Sequence, residues 1–112
     1  MEAVKAANLA LRFLLELAAI IAFGYWGVTV GDGRLMKALL GIVVPALVVV
    51  VWAVFVAPKA TISIPDVTKV LLGLIILELA AAALFVAGQP GPAVAFGAIV
   101  LINAALMLVW RQ

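Results

Sequence analysis

The chain has 112 residues, of which 70% are hydrophobic and 11% charged, and its formal net charge is +2. A soluble domain carries about 25% charged residues, so this inventory cannot clothe a water-facing surface, and the partner of most of the chain is the lipid bilayer. The weak, scattered positive charge gives no footing for nucleic acid. The sequence contains no cysteine or histidine, which removes disulfide exchange, thiolate metal sites, haem ligation through those side chains and imidazole catalysis. No cofactor, no metal site and no catalytic set is expected, and the chain does not read as an enzyme.

Four apolar segments follow one another, at about 7–30, 35–56, 67–87 and 93–110. Each approaches the roughly 20 residues that cross ~30 Å of hydrocarbon at about 1.5 Å per residue. The valine run 48–51 would favour a strand in water. In lipid an unpaired strand leaves its backbone unsatisfied, so helix is expected throughout. The first segment is too long for a cleavable leader and carries Arg12 and Glu16 inside its apolar run.

The breaks between segments are well marked. Gly31-Asp32-Gly33 closes the first and Pro58 the second. Asp66, after Pro65, reads as an N-cap of the third. Gly88-Gln89-Pro90-Gly91-Pro92 is a tight turn before the fourth. The short first and last connections make their flanking helices antiparallel neighbours. The expected fold is therefore all-α, a single four-helix transmembrane bundle.

Lysine and arginine placement sets the orientation. Lys5, Lys59, Lys69 and Arg111, with Arg12 close by, share one side with both termini, while Arg34 and Lys37 lie on the other. Both termini are predicted to be cytoplasmic. Trp52 and Trp110 then stand as interface anchors on the cytoplasmic side, and Tyr25 and Trp26 on the outer one.

An internal repeat is visible. LLELAA around Glu16 returns as ILELAA around Glu78, and GIVVPALVVVVW aligns with IVLINAALMLVW, pairing Pro45 with Asn103 and Trp52 with Trp110. The bundle is thus expected to consist of two tandem helical hairpins related by an axis along the membrane normal.

Polar side chains inside the spans carry the functional expectation. A charge at mid-span costs about 2.5–3.5 kcal/mol on insertion scales, so Arg12, Glu16 and Glu78 each need a compensating reason. Counting helical rise places Glu16, Glu78 and Asn103 at similar depth, while Pro45 frees the carbonyl of Gly41 on the remaining helix. Asn8, Arg12 and Glu16 recur every four residues and form one stripe. Arg12 is within reach of Glu16 on its own helix and of Glu78 on a neighbour. Two carboxylates against one arginine leave a negative charge that a proton or a bound cation would balance, with Glu78 expected to hold the proton. The small residues Ala18, Ala22 and 80–83 beside the glutamates permit close helix approach.

These residues also carry a family resemblance. NLALRFLLELAA, GYWG at Gly24 to Gly27, WAVFVAPK ending at Lys59 and ELAAAALFVAG from Glu78 together resemble the YrdB-like family of small, uncharacterised bacterial integral membrane proteins. The resemblance covers nearly the whole chain, and RFLLEL and the tryptophan-to-APK run are its most specific parts. Arg12, Glu16, Trp26, Trp52, Pro58, Lys59 and Glu78 match the pattern. Ala53 stands where a glycine is expected, and the middle loop is less basic than in the family. The resemblance implies four membrane helices in the bacterial cytoplasmic membrane and supplies no substrate. Size and a first-helix glutamate are shared with small multidrug resistance transporters, whose other motifs are missing here.

The leading functional expectation is a small proton- or cation-linked transporter or channel, centred on Arg12, Glu16, Glu78, Asn103 and Asn8. The rival is a non-transporting scaffold or accessory subunit in which the same residues clasp the helices. Because one small bundle leaves little room for a pore, the transporter expectation includes a homodimer.

Overall fold

The computed structural model describes residues 2–56 and 62–110. It is all-helical: α1 is Glu2–Val30, α2 is Gly33–Val51, α3 is Asp66–Val86 and α4 is Pro90–Trp110. The last turn after α2, Trp52–Val56, widens into a π-helix. All four helices are long and apolar enough to cross a membrane, as the segment lengths indicated. Pro58, Lys59 and Arg111, which entered the reading of breaks and charge bias, lie outside the described residues.

The helix ends differ from expectation where local chemistry is stronger than hydropathy. α1 starts at Glu2 and runs for 29 residues. At about 1.5 Å per residue it is ~43 Å long, so its first turns project beyond the hydrocarbon or the helix tilts. Asp66 is the first residue of α3, not its cap; Pro65 precedes it, and no side chain caps the end. Pro65 instead supplies its carbonyl to Lys69 N–H at 3.0 Å. Pro90 begins α4, where its fixed φ and missing N–H suit the first helical position.

Between α3 and α4 the chain reverses through Gly88 at φ +92°. Gln89 N–H reaches Leu84 O at 3.0 Å and Gly88 N–H reaches Phe85 O at 3.2 Å, the paired bonds that close a helix around a left-handed glycine. The reversal between α1 and α2 uses Gly33 at φ +80°. There Lys37 Nζ donates to Val28 O at 2.9 Å, placing a cation on the carbonyl end of α1.

α1 is the axle of the bundle. It packs against α2, α3 and α4, while α3 packs closely on α4. α2 leans on α1 and meets α3 chiefly through the π-helical turn; none of its residues is buried. The core joins Leu15, Ala19 and Ala22 of α1 with Leu77 and Ala80 of α3 and Val100 of α4. Alanines dominate because, in lipid, close backbone approach and dispersion replace the hydrophobic drive between helices.

The α1–α2 contact rests on Gly27 and Gly41. A Cβ at Gly27 would run into the backbone of Leu40 and stand 2.7 Å from Gly41 N; one at Gly41 would stand 2.7 Å from Val28 Cγ2. α2 continues unbroken through Pro45, whose ring faces Gly24. Gly27→Ala is therefore expected to destabilise the folded bundle by about 1–3 kcal/mol through overpacking against backbone. Gly24→Ala, whose Cβ meets its nearest neighbour at 3.5 Å, is expected to change stability by less than about 0.5 kcal/mol. Equilibrium unfolding of the two variants in mixed micelles checks the contrast.

Candidate functional site

The polar side chains of the spans sort into two levels. At the outer level α1 presents Asn8 and Arg12, one turn apart, to Asn103 of α4. Arg12 Nη1 donates to Asn103 Oδ1 at 3.2 Å. Asn103 Nδ2 donates to Asn8 O at 2.9 Å and Asn8 Oδ1 at 2.8 Å. Asn103 has no exposed surface, and Asn8 and Arg12 are each 5% exposed. Gly73 of α3 makes the space: a Cβ there would coincide with Arg12 Nη2. Three helices thus close around one guanidinium, and the amide of Asn103 uses both its donor and its acceptor in doing so.

One turn deeper lie the two glutamates, and they face different helices. Glu16 accepts a hydrogen bond from Trp52 Nε1, which the π-helical turn presents to α1. Trp52, expected at the interface, thus has its polar edge on an interior carboxylate. Glu78 faces Gly97 of α4. A Cβ at Gly97 would stand 3.4 Å from Oε2 and 3.7 Å from Oε1. Glu78 Oε1 is buried and, among the described residues, accepts no hydrogen bond. Arg12 is engaged with Asn103, and among the described residues no hydrogen bond links Glu16 and Glu78 to a shared partner.

Glu16 stands where two cavities meet. One, of about 550 Å³, is an ionic vestibule lined by Arg12, Glu16, Trp52, Asp66 and Lys69 together with apolar residues. The other, of about 150 Å³, is an apolar crevice between α1, α2 and α3, whose walls include Leu17, Val48, Ile76 and Leu77. Phe13, Glu16 and Trp52 line both. The gap exists because α2 stands off α3 above the π-turn. Further along the same seam, Phe23, Trp26, Val44 and Ala82 border a third hollow. At that end Tyr25 accepts a hydrogen bond from Gln89 Nε2 at 3.2 Å. Trp26 and Trp110 are each half-buried.

Sequence reasoning set Asn103 at the depth of Glu16 and Glu78, whereas in the structure it bonds Arg12 and Asn8, nearer the start of α1. That reasoning missed Gly73 and Gly97, which make room for Arg12 and Glu78. A single glycine within a run of leucine and isoleucine was the available signal. It also missed that Asp66 and Lys69, taken as end-of-helix charges, line the same cavity as Glu16. They lie three residues apart on one helical face, which spacing alone could have shown.

Comparison with known proteins adds a family. Residues 10–101 match the model of a family described as "Protein of unknown function (DUF2568)". The chain is 36% identical over 92 residues to the "Uncharacterized protein YrdB" of Bacillus subtilis (strain 168), covering 76% of this chain and 74% of that protein. The likeness read from the RFLLEL and ELAAAALFVAG runs is thus supported. No solved structure matches the chain.

Asn103→Leu removes the partner of a buried guanidinium. Interhelical hydrogen bonds in membranes average about 0.6 kcal/mol and reach about 1.7 kcal/mol; with two partners orphaned, a loss near the upper figure is expected. Gly73→Ala should displace Arg12 and produce a comparable loss. In a double-mutant cycle its effect should not add to that of Asn103→Leu, because both act through the same hydrogen bond. Unfolding free energies of the single and double variants test this.

Proposed function

The chain belongs to the DUF2568 family, and from that premise and the geometry above we propose that it is a small membrane transporter working through a proton- or cation-linked carboxylate, Glu16. The observation that carries this reading is the position of Glu16 at the junction of an ionic vestibule and an apolar crevice. An interior carboxylate facing a cavity from which a cation or proton can be exchanged is a functional feature by default in a membrane helix. A purely structural carboxylate would be expected to lie in a closed, fully bonded contact.

Arg12, Asn8 and Asn103 have a different part in this reading. Their bonds are mutual and buried, which favours the role of a clasp that fixes α1 against α4. That same observation is the support for a scaffold reading of the whole protein, the second reading. Glu78, beside Gly97, is taken as the counterpart of Glu16. Each glutamate faces the second helix of its own hairpin, consistent with tandem hairpins. Both termini are placed in the cytoplasm by the charge bias, in a bacterial cytoplasmic membrane, and two copies are taken to form the working unit.

The test is proton flux into liposomes holding the purified protein and an internal pH-sensitive dye, under imposed gradients of sodium, potassium or tetraethylammonium in turn. At least one cation should drive flux about tenfold above empty liposomes; a tenfold rate ratio corresponds to about 1.4 kcal/mol. Glu16→Gln should return the rate to background while keeping the wild-type unfolding midpoint. Background flux with all three cations, or a Glu16→Gln variant as active as the wild type, refutes the transporter reading in favour of the scaffold.

A further inference from the structure

The order of charges along the vestibule identifies a class of occupant. Arg12 is level with Gly73, since a Cβ there would meet its guanidinium. Glu16 lies four residues deeper on α1, about 6 Å by helical rise. On α3, Lys69 lies four residues outward from Gly73, again about 6 Å, and Asp66 about 4.5 Å beyond that. All four side chains line the one cavity. Outward from the apolar crevice, the wall therefore reads carboxylate, guanidinium, ammonium, carboxylate.

We propose that this cavity binds a zwitterionic, amine-bearing lysophospholipid, with its acyl chain entering the crevice between α1, α2 and α3 and its headgroup in the vestibule. The glycerol region of such a lipid donates a free hydroxyl next to the chain; the phosphate follows, and the ammonium is outermost. That sequence complements the wall in order as well as in sign. Glu16 accepts from a glycerol hydroxyl, Arg12 and Lys69 flank the phosphate, and Asp66 meets the ammonium. The two charges of each sign on the wall match a headgroup with no net charge, whereas an anionic or purely cationic head would leave one carboxylate–cation set unanswered. The apolar part fits a chain: Phe13, Leu17, Val48 and Leu77 surround it. A separate hollow lies further along the same three helices, toward Trp26. α2 has no buried residue and does not close on α3 above the π-turn, so the crevice is reached sideways. This inference deepens the transporter reading and rests on the same cavity being the working site.

The experiment measures binding of three single-chain amphiphiles with the same tail to the detergent-purified protein by native mass spectrometry. The three are lysophosphatidylethanolamine, lysophosphatidylglycerol and an alkyltrimethylammonium. The expected result is at least tenfold tighter binding of the first. Val48→Trp, which fills the crevice, should weaken it about tenfold, while Ile102→Trp on the exposed face of α4 should not. Asp66→Asn should erase the preference for the ethanolamine head over the glycerol head without changing the unfolding midpoint, which keeps the test meaningful if Val48→Trp does not fold. Equal binding of the three amphiphiles, or Val48→Trp binding like the wild type in folded form, overturns the inference. Glu16-dependent cation flux without selective amphiphile binding leaves the transporter reading standing and removes this one. Selective binding with no flux does the reverse.

Discussion

The buried guanidinium of Arg12 is the constraint around which the bundle is arranged. A charge at this depth is tolerated when protein groups replace its water. Asn103 supplies the acceptor, and its own amide is then held by Asn8. That chain of bonds fixes α4 on α1 in both height and rotation, since a slip of one residue would swing Asn103 by about 100° around its helix. Gly73 is the third element of the same arrangement: only a residue without a side chain lets α3 approach the guanidinium. Three of the four helices are thereby positioned by one side chain.

α2 is left out of that arrangement, and the consequence is the cavity. Its contact with α1 is close at the Gly27–Gly41 end, where backbone meets backbone. At the other end the π-turn leans on α3 and carries Trp52 to Glu16. Between those two attachments α2 bridges a gap rather than filling it. Bulky Val48 on α2 and Ile76 on α3 line the opening without the alanines that bring α1, α3 and α4 together. Arg12 and Glu16, four residues apart on one stripe of α1, both border the adjoining vestibule, while Arg12 also bonds Asn103.

Depth along a helix was legible in the sequence, and rotation about it was not. The four spans followed from hydropathy and from Gly and Pro punctuation, because in a bilayer the backbone allows only helices. Counting rise ordered Asn8, Arg12 and Glu16 along α1, because depth is linear in residue number, but it set Asn103 level with the glutamates, whereas Asn103 bonds Asn8 and Arg12. Rotation about the helix axis is another matter. The residues of α2 just before Trp52 are apolar all round, so no polar face marked the inward turn of that indole. On α3 and α4 nearly every residue is apolar, so no polar face marks which side meets which neighbour. Glu78 could be placed by depth but not aimed at Gly97. The two glutamates, equal in depth, read as one cluster from sequence, yet they address different helices.

The unequal surroundings of those glutamates bear on which of them does the work. Glu16 is enclosed by more of the protein than Glu78 is, but burial alone does not say which of them exchanges partners. Their neighbours do. Glu78 is backed by Gly97 and Ala81 on the tightly packed α3–α4 side, where the adjacent groups are backbone and methyl. Glu16 has an indole N–H, a guanidinium one turn away and a cavity in front of it. A carboxylate that exchanges partners needs donors that can be given up and regained, and an adjoining volume for whatever replaces them. Glu16 has both, through a tryptophan carried on the most weakly attached helix of the bundle. Movement of the π-turn away from α1 would release Glu16 from Trp52 and widen the crevice in the same step. The carboxylate and the lateral opening are therefore mechanically one unit.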